Sequence, residues 1–291
     1  ILEVQLSTKL SFIKRISSEI NLLKRLRNNN YDFGLFLTTQ WRVALIGRAI
    51  RPAKTAAVDD KKRKGPMWTK SFSYIFPEAG KNHIVERNLG ALEILGLRIK
   101  KEDSKLRINI PESSRFFVTK CLKENSIGKD FCVIHPVSRR KSKQWSQESF
   151  ASIVNHYSAS GIKVILTSGP TQDEIDYLKG ITYLSSNEVI NLSGKTSLYD
   201  LSALIQRARF FVGLDSVASH IAAAVDTPGV VLFGPSKQEN WRPWSNRLSV
   251  ISRGNKEDYC DVHGHLEGKF KNCLCYITPE KVIKTVDSLI N

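Results

Sequence analysis

RFFVGLDSVASHIAAAVDTPGVVLFGPSKQENWRPW, residues Arg209 to Trp244, alternates strand and helix. Arg209 to Gly213 reads as a strand, Ser216 to Val225 as a helix stopped by Thr227-Pro228, and Gly229 to Gly234 as a second strand. Two apolar strands joined through a helix form the repeating unit of a parallel sheet, because parallel neighbours cannot be joined by a tight turn. Ligands of such sheets sit beyond the carboxyl ends of the strands. Asp215 falls on one of those ends, and Ser216, Val217 and Ala218 open the next helix, where unpaired backbone N–H groups would face a bound diphosphate. The same Asp215-Ser216 pair also reads as no more than a helix cap, and local pattern does not choose between the two. His220 lies one turn along the same side, where a lone histidine is more often a satisfied, half-buried side chain than a ligand. Gly234-Pro235-Ser236 closes the second strand in another turn suited to an anion, and Trp241, Pro243 and Trp244 either meet a base or, the plainer reading, pack their own loop.

Working upstream, strands and helices continue to alternate. Phe131 to His135 and Lys163 to Thr167 are strands. Ser146 can cap a helix carrying Phe150, Ile153, Val154 and Tyr157 on one face, and Thr171 starts a short helix with Ile175 and Leu178. Ser197-Leu198-Tyr199-Asp200 has capping-box spacing, followed by Leu201, Leu204, Ile205 and Ala208 at helical period. HPVSRRKSKQW, His135 to Trp145, places Arg139, Arg140, Lys141 and Lys143 directly after a strand, either as a phosphate clamp or as an ordinary charged loop. Thr278-Pro279 opens a last helix through Val282, Ile283, Val286 and Leu289.

The first part of the chain is helix-rich and basic. Ile13, Ile16, Ile20 and Leu23 recur at helical spacing up to Asn28-Asn29-Asn30. Tyr31 to Thr38 is a short strand, Trp41 to Ile50 and His83 to Leu95 are helices, and Lys61 to Pro66 is a solvated charged loop. A boundary is expected near Ser126 to Asp130, where the clean alternation begins. The 291 residues suit two ordinary α/β domains, and 41% hydrophobic content is enough for packed cores. An excess of 44 Lys and Arg over 28 Asp and Glu, net +16, favours anionic partners without choosing among nucleic acid, a membrane surface and a phosphorylated substrate. Five unevenly spaced cysteines do not make a disulfide framework, and no apolar run is long enough to span a membrane. ILEVQLSTKL has neither an initiator Met nor the marks of a signal peptide, and reads as a start inside structured protein.

GLDSVASHIAAAVDTPGVVLFGPSKQENWRPW resembles the nucleotide-sugar-binding segment of the ADP-heptose:lipopolysaccharide heptosyltransferases, its WRPW ending being similar to the third-heptosyltransferase branch. HPVSRRKSKQW resembles the family's phosphate-contacting loop, GKTSLYDLSALIQRARFFVG its helix before the Asp strand, and CLCYITPEKV its C-terminal signature. The resemblance implies a GT-B fold, two Rossmann-like α/β domains facing across a cleft. Here these would be residues 1–126, on the acceptor side and N-terminally incomplete, and residues 127–291, the donor side, with the last helix, 279–290, a candidate to pack back on the first domain. It implies an ADP-heptose donor, an anionic lipopolysaccharide core acceptor, no metal and no other cofactor, and a cytoplasmic place on the inner membrane surface. Lys143 matches the lysine that neutralises the diphosphate and assists its departure, Asp215 the aspartate that holds sugar hydroxyls, and His220 the histidine of that helix. Ser138, Ser216, Val217 and Ala218 match the diphosphate cradle, and Thr196, Ser197 and Leu198 the adenosine side. The family's opening strand and Gly-Asp loop, which carries the general base, has no counterpart, so that base is expected upstream of Ile1; Asp32, Asp59 and Asp60 stand in the wrong local context to replace it.

The sequence also admits three other readings. A related enzyme could use another nucleotide sugar. A basic nucleic-acid-binding protein would explain the charge but not the ordered Asp, Gly-Pro and WRPW landmarks, so no nucleic-acid partner is expected. A structural zinc site could draw on Cys260, His263, His265, Cys273 and Cys275, although Cys273-x-Cys275 is tighter than usual for such a site.

Overall fold

The computed structural model describes residues 12–59, 65–76, 82–140, 143–234, 236–252 and 273–290, and divides the chain into two units, Ile1–Ser104 and Lys105–Asn291. The first contains α1 (Phe12–Asn28), β1 (Phe33–Phe36), α2 (Trp41–Ile50), β2 (Lys54–Val58), α3 (Pro66–Thr69), β3 (Tyr74–Phe76) and α4 (Ile84–Ile94). Its strands run parallel in the order β1-β2-β3. Successive side chains of a strand point to opposite faces, and β2 is buried on both. Ala56 and Val58 pack with Phe76, Ala91 and Leu95, whereas Ala57 packs with Ala44, Trp68 and Phe72. Trp68 Nε1 donates to the Val58 carbonyl at 3.2 Å, so the buried indole leaves no N–H unpaired. His83 closes the start of α4 reciprocally: its Nδ1 accepts from Val85 N–H at 3.2 Å, and its own N–H donates to Glu86 at 3.1 Å.

The second unit contains α5 (Glu112–Glu124), β4 (Phe131–His135), α6 (Gln147–Ala159), β5 (Lys163–Leu166), α7 (Gln172–Leu184), β6 (Ile190–Asn191), α8 (Leu198–Arg207), β7 (Phe210–Leu214), α9 (Val217–Ala224), β8 (Gly229–Phe233), α10 (Gln238–Trp241), β9 (Leu248–Ser252) and α11 (Pro279–Ile290). Its six strands are all parallel and ordered β6-β5-β4-β7-β8-β9, the doubly wound order of dinucleotide-binding folds. Alternation along the strands builds two cores. Cys132, Ile134, Val212 and Leu232 face α6, α7 and α11, while Phe131, Val133, Phe211 and Val231 face α5, α8 and α9. Both faces are covered, so these strands read as continuous apolar runs.

The division after Ser104 falls one helix earlier than the boundary expected near residue 126. The cause is α5, whose Val118, Cys121 and Leu122 are buried in the same core as Leu201 and Leu204 of α8. Arg115 Nη1 donates to Gln206 and Arg207 Nη1 to Thr119 Oγ1, both at 2.9 Å, along the seam between the two helices. Helix α11, a candidate to reach back to the first unit, buries Val282 and Val286 in the second unit's core, where Tyr157 O–H donates to Asp287 at 3.2 Å.

Candidate functional site

β4 and β7 are neighbours at the centre of the sheet, but their chains leave in opposite directions. After β4 the chain goes to α6 in one helical layer, and after β7 it goes to α9 in the other. The loops therefore part, and a crevice opens at this switch point. A cavity of about 520 Å³ occupies it. Ser138, Arg139, Arg140 and Lys143 line it from the loop after β4; Ser168, Gly169, Pro170 and Glu174 from the loop after β5 and the first turn of α7; Thr196, Ser197 and Leu198 from the start of α8; and Ser216 and Val217 from the start of α9.

The two central loops are tied directly. Lys143 Nζ donates to Asp215 Oδ2 at 2.5 Å, with 16% of the lysine side chain and 9% of the aspartate exposed. Ser138 Oγ adds a longer contact, 3.5 Å, to the Asp215 carbonyl. The start of α9 is left open by its own side chains. Ser216 occupies the cap position with extended backbone but makes no side-chain capping bond. Its carbonyl accepts from the Ser219 hydroxyl at 2.7 Å, whereas its Oγ is buried and has no hydrogen-bond partner among the described residues. A buried hydroxyl left unpaired costs about 1–3 kcal/mol unless a ligand satisfies it. The capping account of Asp215-Ser216 thus fails at the side chains: one is paired with Lys143, and the other does not cap.

His135 ends β4 at the floor of the cavity, on the same strand face as Phe131 and Val133. Its Nδ1 shares a hydrogen bond with Thr167 Oγ1 at 3.0 Å, and burial lowers its pKa from 6.5 to about 4. Between those two values the unfolded chain holds a proton that the folded chain rejects. The stability this neutral imidazole contributes is complete above about pH 6.5 and falls by up to about 3 kcal/mol as pH drops toward 4. Melting temperatures taken from neutral pH down to about 4.5 should decline accordingly, and His135→Asn should decline less steeply over that window. Parallel slopes would move the effect to another group.

Of the residues singled out from the sequence, Ser138, Lys143, Thr196, Ser197, Leu198, Ser216 and Val217 line the cavity, and Asp215 meets it through Lys143. Ala218 is fully buried behind the start of α9 and His220 is half-buried further along it; neither is among the lining residues. Trp145 is a buried packing residue, its Nε1 donating to the Ile277 carbonyl at 3.1 Å. Pro243 is also buried, while Trp241 is exposed. The lining residues that the sequence reading does not name individually are His135 and Val137, both inside the His135 to Trp145 loop it singles out, and Ser168, Gly169, Pro170, Glu174 and Leu201. Ser168-Gly169-Pro170 was recognisable as a strand end, hence as a candidate by position. Glu174 carries no local signal. Its carboxylate folds over Gly169, where a Cβ would lie 2.5 Å from Glu174 Oε2.

Among the described residues no group of three His, Cys, Asp or Glu side chains could hold a metal ion. Lys141, Asp60, Pro235 and the zinc candidates Cys260, His263 and His265 lie outside the described residues, as do the side chains of Cys273 and Cys275. No described helix is long and apolar enough to cross a membrane.

Two parallel α/β units in tandem, the second with a crevice at the switch point of its sheet, give the chain a fold of the GT-B type. The model of "Glycosyltransferase family 9 (heptosyltransferase)" matches residues 20–271, and the chain belongs to that family. It is 35% identical over 279 residues to lipopolysaccharide heptosyltransferase 3 of Escherichia coli, covering 95% of this chain and 80% of that protein. Among solved structures, a family 9 glycosyl transferase from Veillonella parvula superposes with a TM-score of 0.82 at 19% identity, covering 94% of this chain and 78% of that one. The E. coli ADP-heptose lps heptosyltransferase II superposes with a TM-score of 0.74 at 19% identity, covering 95% and 81%.

Proposed function

We propose that the chain moves a heptose from ADP-heptose to the inner core of lipopolysaccharide by a single inverting displacement that needs no metal. The observation that carries this reading is the convergence, in one crevice, of the Lys143 ammonium, the open start of α9 and the unpartnered Ser216 Oγ. Together they suit a diphosphate: the helix start supplies preorganised positive charge, and Lys143, paired with Asp215 beforehand, supplies a cation beside it. The names of the family and of the relatives supply the sugar, the nucleotide and the acceptor.

In this assignment the diphosphate lies against Ser138, Lys143, Ser216 and Val217 and the adenosine reaches toward Thr196, Ser197 and Leu198, while the heptose meets Asp215, the partner of Lys143. An acceptor hydroxyl attacks the anomeric carbon as the bond to the phosphate oxygen breaks. ADP takes the bonding electrons, and Lys143 and the α9 amides stabilise the charge that grows on it. The acceptor proton passes to a general base, a role we assign to no described residue. The net charge of +16 suits an anionic acceptor presented at an anionic inner membrane surface, with the chain held there from the cytoplasmic side.

Calorimetric titration with ADP and UDP, each at low and moderate salt, tests the donor assignment. ADP should bind more tightly than UDP and weaken as salt screens the cradle. Equal or tighter binding of UDP would transfer the site to another class of nucleotide sugar.

A further inference from the structure

We infer that Asp215 is a counter-ion that withholds Lys143 from a bare nucleotide and yields it to a nucleotide sugar, so that the site tells the donor from its spent product. This rests on the donor assignment above. Lys143 and Asp215 come from opposite flanks of the switch point, one from the loop after β4 and the other from the end of β7, and they close on each other at 2.5 Å. Both side chains are largely out of water, where a charge is costly unless paired. A diphosphate entering alone therefore meets a cation already neutralised and a carboxylate that repels it. Drawing Lys143 onto the phosphates would leave the buried carboxylate without a donor.

A sugar attached to the diphosphate changes this balance. Its hydroxyls are hydrogen-bond donors, and the carboxylate is an acceptor with several lone-pair sites. Hydroxyls that bond Asp215 replace the donor it loses, and the Lys143 ammonium, with three N–H groups on a flexible stem, can turn to the diphosphate without backbone movement. Sugar and diphosphate thus bind cooperatively through one ion pair. After transfer the hydroxyls leave with the product, Asp215 reclaims Lys143, and ADP is held more weakly than the donor was. Asp215 accordingly has two roles, touching the sugar and positioning the lysine.

The test is titration of ADP and of ADP-heptose, without acceptor, into the wild-type chain, Asp215→Asn, Lys143→Met and the double variant. Asp215→Asn should bind ADP roughly tenfold more tightly, the range of one freed charged hydrogen bond. The preference for ADP-heptose over ADP should fall by about tenfold or more. The gain for ADP should vanish in the double variant, because it needs the released lysine. Asp215→Ala, which keeps no hydrogen-bonding atom, should shift ADP binding with the same sign. A purely scaffolding aspartate would lose affinity for both ligands. Unchanged or weaker ADP binding in both Asp215 variants would overturn the inference, and so would a gain that survives without Lys143, which would show only relief of repulsion. A wild-type chain that binds neither ligand would instead remove the donor assignment beneath it.

Discussion

Lys143→Ala should lower donor affinity by about tenfold to a hundredfold, the loss of a charge-assisted hydrogen bond worth roughly 1.5–3 kcal/mol. Two features place the expectation toward the upper end. The lysine side chain is only 16% exposed, so water and salt screen its field less than that of Arg139 and Arg140, which are exposed at the cavity rim. Its removal also strands the Asp215 carboxylate, 9% exposed, beside the incoming diphosphate. Turnover should fall as well. Charge on ADP grows as the glycosidic bond breaks, so Lys143 bonds the transition state more strongly than the ground state. Affinity for ADP-heptose and saturated turnover of the wild-type and variant enzymes give the two effects separately. Unchanged values of both would move the phosphate site away from the β4–β7 junction.

Trp145→Ala should remove about 3–5 kcal/mol of stability, the range for deleting a large buried aromatic side chain. The indole is 3% exposed and packs edge-on against Phe150 with ring centroids 5.1 Å apart. Its Nε1 donates to the Ile277 carbonyl, and its own carbonyl accepts from the Tyr177 hydroxyl. One residue thus joins the end of the basic loop, α6, α7 and the segment leading into α11. It also lies two positions from Lys143, so loosening it should weaken ADP binding at temperatures where the protein is still folded. Denaturant titration together with calorimetry measures both effects. Trp145→Phe keeps most of the packing but leaves the Ile277 carbonyl without its donor, and should cost about 1–3 kcal/mol. A stability loss below about 1 kcal/mol in the alanine variant would contradict the packing account, since such small losses belong to surface positions.

The parts of the fold that could be read from the sequence are those whose period, length and end signals agree. β4, α2 and the Ser197 capping box stand where the residues placed them, and β7 is displaced by a single position. β2 gives little signal because KTAAV has one β-branched residue at its second position and one at its end, with two alanines between, and its burial on both faces comes from helices elsewhere in the chain. β3 is three residues long, too short for any period to show. In α5 the exposed rings of Phe116, at 69%, and Phe117, at 37%, blur the stripe formed by Val118, Cys121 and Leu122, so the strand–helix alternation shows in the sequence only beyond that helix. α11 began where Thr278-Pro279 put it, but the face it packs against could not be read from its own residues.

The candidate site divides along similar lines. Loops at strand ends can be placed from a sequence, so Ser138, Lys143, Ser216 and Val217, which line the cavity, are proposed from their position alone. Glu174 lines the same cavity because of how the strands are ordered, which nothing local reveals. The ion pair joins residues 72 positions apart. It was out of reach for the same reason, and it alters what each partner does: the aspartate assigned to the sugar and the lysine assigned to the phosphates hold one another.

The strand order also fixes when the donor crevice comes into being as the chain is made. β4 is synthesised first of the six yet stands in the middle of the sheet, and its second neighbour, β7, follows only after β5, β6 and three intervening helices. Until Phe210–Leu214 has left the ribosome, Phe131–His135 has one unpaired edge and apolar faces only partly covered, the condition in which strands pair wrongly or aggregate. Joining β4 to β7 is a long-range closure that is slow compared with helix formation. The nascent second unit should therefore depend on chaperone protection through this interval. Donor affinity should appear only after this closure, because the β4–β7 junction also sets the loop that carries Lys143 beside the start of α9.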